Sequence, residues 1–337
     1  MKKPNSLLFI LAISSGLATT SFLYFEENHS ANSAECKFNP GMIAIQGGTF
    51  VMGAGAAYPE EGPSLNLIIV NFYISRHEVT NKEFSEFVKA TNYVTVAERI
   101  PDSEHYPDVP PNMLTAGSAV FVQLDEAVTS TPFLSWWRFV EGANWRQPSG
   151  PGSNIDTKAL YPVIHIALED AMAYAKWKGH RLPTEAEYEY ASRGGLESAI
   201  YQHGDSLTVN GKYQANTWQG LFPFNNSKDD GYEGLAPVGC YAANEYGTHD
   251  MIGNVWEWTQ TPYYPTHDQL RLNQFKHNHA QFGFDPDQPM VPVGVIKGGS
   301  YLCSEDFCAR FRPAARHSQD TGLGSSHIGF RTALDFD

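Results

Sequence analysis

Apolar and polar positions alternate over residues 42–52 around a Gly47-Gly48 step, which predicts two short strands joined as a hairpin. A second run, 65–74, predicts one strand with Leu67, Ile69 and Phe72 facing inward. The period then changes. Phe84, Phe87 and Val88 recur at i, i+3, i+4 behind a Thr80–Glu83 capping box, so a helix with one buried face is expected. Residues 163–166 predict a strand, and 169–178 a helix stopped by Gly179. Thr184 and Glu187 make a second capping box, opening a helix that ends near Gly194-Gly195. Between them, 99–160 has no period and is rich in Pro, Gly, Ser and Asp, yet Trp136, Trp137 and Trp145 argue for order, and such segments are usually functional. Beyond 195, turn residues punctuate the chain and leave room only for short strands.

Residues 1–35 differ in kind. Lys2 and Lys3 precede an apolar run over 7–25, and Glu26 restores polarity. This is the layout of a secretory signal peptide, or of an uncleaved signal anchor. Either places the body, 36–337, outside the cytosol: in a secretory lumen, a periplasm or the medium. A length of 337 residues gives a prior of about two domains. With no fixed repeat and no low-complexity linker, one domain over 36–337 fits better. A net charge of −14 argues against binding to nucleic acid, which demands a concentrated basic surface. Aromatics at 13 % argue against a disordered chain.

Four cysteines allow three complete pairings. Cys303 and Cys308 are five apart, which turns the second side chain roughly 140° from the first on a helix and to the opposite face on a strand. Two sulfurs that meet here therefore need a loop, and Gly298-Gly299 supports one. Two readings stay open: a disulfide, or a two-thiolate metal site. Zinc fits the second poorly, since only His317 lies nearby in sequence; two thiolates with open positions suit Cu(I). Arg310, Arg312 and Arg316 either lower the thiol pKa or form salt bridges on a solvated face. If Cys303 and Cys308 belong together, Cys36 and Cys240 are left to pair.

Two oxygen-rich segments also stand out: Asn216-Thr217 with Asp229, Asp230 and Tyr232, and Asp250 to Glu257 around Gly253. Carboxylates and carbonyls near glycine turns are how Ca²⁺ collects about six to eight oxygens. Asx-turns give the same pattern without an ion. His267, His277 and His279 share a polar stretch and are expected to face solvent. No H-E-x-x-H, 2-His-1-carboxylate or G-x-S-x-G spacing appears, so a hydrolase or non-haem iron enzyme gains no support.

As a set, Gly142-Ala-Asn-Trp-Arg146, Gly179-His-Arg-Leu-Pro-Thr-Glu-Ala-Glu187, Gly253-Asn-Val-Trp-Glu-Trp258, Lys297-Gly-Gly-Ser-Tyr-Leu-Cys303, Cys308-Ala-Arg-Phe-Arg-Pro-Ala-Ala-Arg316 and Gly329-Phe-Arg331 resemble the formylglycine-generating enzyme family over about residues 40–333. The cysteine pair is the part specific to active members. The resemblance implies an α+β chain with a single, elaborated C-type-lectin-like fold and little regular structure. It implies an O₂-using oxidase that turns a cysteine of an unfolded or nascent sulfatase (Cys-x-Pro-x-Arg) into Cα-formylglycine. On this carry-over Cys303 and Cys308 bind Cu(I), and Ser300 and Trp256 shape the oxygen pocket. Trp137 and Arg146 lie in segments lining the substrate groove. Two structural Ca²⁺ sites are implied, one at Asn216, Thr217, Asp230 and Tyr232, the other at Asp250, Gly253, Val255 and Glu257. This chain departs from the family at Ser304-Glu305-Asp306-Phe307, where many members have a basic and phenolic stretch. Different readings are a calcium-stabilised, non-catalytic module that binds peptide or glycan, and an iron-dependent sulfoxide synthase, whose three-histidine set is missing.

Overall fold

A computed structural model describes residues 36, 38–101, 103, 110, 114–125, 135–268 and 283–336. The leader, His277 and His279 lie outside them. In chain order the strands and helices are β1 Met42–Ile45, β2 Gly48–Met52, β3 Leu65–Ile69, β4 Phe72–Ser75, α1 Asn81–Thr91, β5 Gly117–Phe121, β6 Trp137–Glu141, α2 Leu168–Lys178, α3 Glu185–Arg193, β7 Thr208–Val209, β8 Lys212–Tyr213, β9 Trp256–Pro262, β10 Val293–Lys297, β11 Arg316–Asp320, β12 Ile328–Gly329 and β13 Ala333–Asp335. The fold is α+β, and irregular connections carry most of the described residues.

Both capping boxes form. The Thr80 side chain accepts from Glu83 N while Glu83 Oε2 accepts from Thr80 N at 2.9 Å, and Thr184 and Glu187 repeat the exchange. Gly179 and Gly194 end α2 and α3 in the left-handed conformation. Phe84 and Phe87 of α1 meet Trp145, Tyr174 and Phe330, the centre of the main core. That core also holds Trp256, Trp258, Cys303 and Phe311.

Strand partners differ from the local expectation. Residues 42–52 do not fold back on themselves: β1 pairs with β4, and β2 with β3. The run 65–74 is two strands, because Val70 and Asn71 turn the chain from one sheet to another. Residues 163–166 form no strand. His165 adopts φ 62°, and Val163 N and His165 N donate to Val79 O and Ser325 O instead. The irregular 99–160 stretch contains the hairpin β5–β6. The central sheet, ordered β11-β10-β9-β12, places β10 and β11 antiparallel, with Gly298 to Ala315 as the loop between them. Cys36 and Cys240 are disulfide-bonded.

Candidate functional site: a pair of free thiols

Cys303 and Cys308 sit in the β10–β11 loop. Gly298 and Gly299 begin it at φ 94° and 75°. A Cβ on Gly299 would lie 2.9 Å from Arg310 O and 3.0 Å from the Phe311 backbone, so only glycine lets the two ends of the loop run side by side. Cys303 N donates to Ser300 O and Cys308 N to Ser304 O, winding the loop so that the sulfurs approach to 3.2 Å without bonding. Cys303 is buried and Cys308 half-buried. Burial raises the Cys303 thiol well above its usual range, and Cys308 adds to that rise. For Cys308 the hydrogen bond with Cys303 outweighs burial and, with help from Arg310, brings the thiol down to about 7. Of the two sulfurs, Cys308 is thus the one biased toward the thiolate, the form that binds soft metals.

The three arginines separate. Arg310 serves Cys308; it pairs with Glu60 and stacks over Tyr58 at 4.0 Å. Arg312 and Arg316 do not lie on a solvated face: both are buried, on Glu61 and on Glu185. Burial alone would raise Glu185, but Arg316 and Lys297 hold it well below the carboxylate range. His267 is buried too, contrary to expectation, with Nδ1 on Pro63 O.

Ser300 Oγ lies 3.0 Å from His327 Nδ1, and the His327 ring packs 4.7 Å from Trp137. Trp256 shares the core with Cys303, its ring 5.9 Å from that of His317. Arg146 pairs with Glu98 and lies over Trp145 at 4.2 Å; its contacts are not with the thiol loop. Beside the thiols, Ser304, Glu305 and Asp306 line a cleft of about 400 Å³ together with Tyr213, Thr217 and Trp218. Phe307 leans the other way, stacked on Phe222 at 4.5 Å and edge-on to Trp136.

Among the described residues no three His, Cys, Asp or Glu side chains converge on a metal-sized point, so a metal at the thiols would have two protein ligands and open positions. That suits a soft, low-coordinate ion. The oxygen clusters differ from one another. Asp230 accepts from Thr217 N, Gln219 Nε2 and Tyr232 N, and Asn216 donates to Gly234 O and Asn254 Oδ1, so hydrogen bonds close this loop. Asp250 and Glu257, with Gly253 and Val255, are joined by Glu78. Glu78 is fully buried, and its Oε2 has no partner among the described residues. Burial and mutual repulsion raise Glu78 well above the usual range and Asp250 to about 6. Glu78 Oε1 accepts from Asn254 Nδ2, and Glu257 is held by Arg331, so one acid oxygen here is left without a partner among the described residues. Glu78 and His327 escaped the sequence reading; each is far in sequence from the groups it joins, and no local spacing marks either one.

The profile of the sulfatase-modifying factor enzyme 1-like domain matches residues 28–336. The formylglycine-generating enzyme of Mycobacterium tuberculosis is 44 % identical over 294 residues, covering 87 % of this chain and 97 % of that one. An inactive Cα-formylglycine-generating enzyme 2 of Mus musculus is 36 % identical over 300 residues, covering 88 % and 86 %. Among solved structures, PvdO from Pseudomonas aeruginosa superposes with a TM-score of 0.56 at 22 % identity, covering 89 % of this chain and 96 % of that one.

Proposed function

The chain belongs to the sulfatase-modifying factor enzyme 1-like family, and on that footing we propose that it activates sulfatases by converting a cysteine of their Cys-x-Pro-x-Arg segment to Cα-formylglycine. The observation that carries this reading is the free pair Cys303–Cys308, 3.2 Å apart beside Arg310. Cu(I) on these sulfurs would leave positions for a substrate thiolate and supply the chemistry by which O₂ oxidises the thiol-bearing carbon.

The chain's own residues do the rest. Arg310 favours the thiolate of Cys308, and Ser300 presents a hydroxyl next to Cys303. Trp137 and Phe307 offer an aromatic wall to an extended peptide, and Trp256 closes the pocket from the core. Arg146, tied to Glu98, would act at the groove's edge. Calcium at Asp250, Gly253, Val255 and Glu257, and at Asn216, Thr217, Asp230 and Tyr232, has the family resemblance behind it; near the first set Glu78 Oε2 lacks a partner among the described residues. The basic N-terminus and apolar run support a secretory or periplasmic setting, with the leader as signal or anchor and unfolded sulfatase chains as partners.

The test is to load reduced protein with Cu(I) and incubate it in air with a Cys-x-Pro-x-Arg peptide. Mass spectrometry should show the thiol replaced by an aldehyde, and Cys303→Ser and Cys308→Ser should not convert. An intact peptide, or variants equal to the parent, would contradict the reading. The second reading, a non-catalytic peptide- or glycan-binding module, draws on the 36 % identity to an inactive relative; it predicts peptide retention without conversion.

A further inference from the structure

Between the aromatic wall and the thiols stands one further side chain, that of His327. His327 immediately precedes β12, and its carbonyl accepts from Trp256 N at 2.8 Å, which registers its backbone on β9. Its ring touches Trp137 on one side, and its Nδ1 meets Ser300 Oγ on the other. Ser300 is fully buried, accepts from Leu302 N at 3.3 Å through Oγ, and from Cys303 N at 2.9 Å through its carbonyl. A hydroxyl has one hydrogen and two lone pairs. With Leu302 N on one lone pair, a protonated His327 Nδ1 fills the second and leaves the Ser300 hydrogen for Cys303, whereas a bare Nδ1 would take that hydrogen itself.

We infer that His327 is a positioning residue: it orients the Ser300 hydroxyl beside Cys303 and braces the Trp137 indole, joining the peptide-facing wall to the thiol pair. This rests on the oxidase reading above. Burial, with His317 and His165 adding to it, pushes the imidazole down to about 3, so it stays neutral and brings no cation to compete with Arg310 for the thiolate. A group that neutral is a poor base near pH 7, which assigns it orientation and not proton abstraction. The hydrogen bond of the His327 ring to another side chain is the one from Nδ1 to Ser300.

Two substitutions separate this from mere packing. His327→Phe keeps a ring on Trp137 and removes Nδ1; His327→Asn gives up the ring and keeps a polar atom near the Nδ1 position. With Cu(I)-loaded protein and the motif peptide, His327→Phe and Ser300→Ala should each lower kcat about tenfold, the worth of one hydrogen bond, with KM unchanged. The double variant should lose no more than either single, and His327→Asn should retain most of the rate. In metal-free protein, Ser300→Ala should move the imidazole ¹⁵N signal of His327. Additive losses, a Phe variant better than the Asn variant, or an unmoved ¹⁵N signal would overturn the inference while leaving the oxidase reading intact. A parent protein that converts no peptide would overturn both.

Discussion

Around Arg331 and around Cys308 the chain brings reactive groups inside in opposite ways. Arg331 is fully buried and spends its guanidinium on both oxygens of Glu257 and on the carbonyls of His249 and Asp250. Glu185, Glu189, Arg193, Arg316 and Lys297 form a similar buried set near the base of the thiol loop. Removing one member would strand a buried charge. The thiol loop is built differently: its backbone is pinned at Ser300, Ser304 and Trp218, while its two sulfurs meet without a bond. Saturated ion pairs hold a rigid frame, and the frame lets a loop keep two nucleophiles unbonded. Polar saturation marks scaffold here, and an unbonded pair marks the site.

The sharpest way to break this contrast is to exchange the outcomes of mutation. Cys303→Ser should abolish conversion of the motif peptide while costing only about 1 kcal/mol of stability, the price of a buried hydroxyl, checked by calorimetry beside the activity assay. Arg331→Met should do the reverse. It leaves Glu257 uncompensated and should cost about 3–5 kcal/mol in a denaturant melt, whatever its effect on the thiols. A mild loss of stability would show that the ion pairs are not the frame.

The thiols can be compared with each other. Cys308 is lowered from 9.0 to about 7, so alkylation of metal-free protein at this position should rise through pH 7, and Cys303 should lag at every pH. A lowered folded pKa means this thiolate's contribution to stability is complete above the ordinary value of 9.0 and is lost as pH falls from there through about 7. Equal rates at the two cysteines, followed by peptide mapping, would remove the asymmetry. The smallest effect belongs to the helix caps. Thr184→Ala should cost about 1 kcal/mol and leave the alkylation profile unchanged.

What could be read from the sequence follows distance along the chain. The capping boxes at Thr80 and Thr184 and the stops at Gly179 and Gly194 depend on neighbours within four residues, and all four form. Strand partners do not: β1 finds β4 some thirty residues away, and the alternation of 42–52 looks the same whichever partner it takes. His165 breaks an apolar run by a left-handed φ that no apolar pattern encodes. At the site, Cys303 and Cys308 were visible as a pair, but bonded and free pairs share one spacing. Glu78 beside Asp250, and His327 beside Ser300, are products of the fold alone.

Most direct for the central claim is titration of reduced protein with Cu(I) against a chromophoric chelator, followed by alkylation of the remaining thiols. One equivalent should bind and protect both Cys303 and Cys308, and binding should be lost in either serine variant. Metal retained equally by both variants, or thiols that stay reactive with copper bound, would contradict the account.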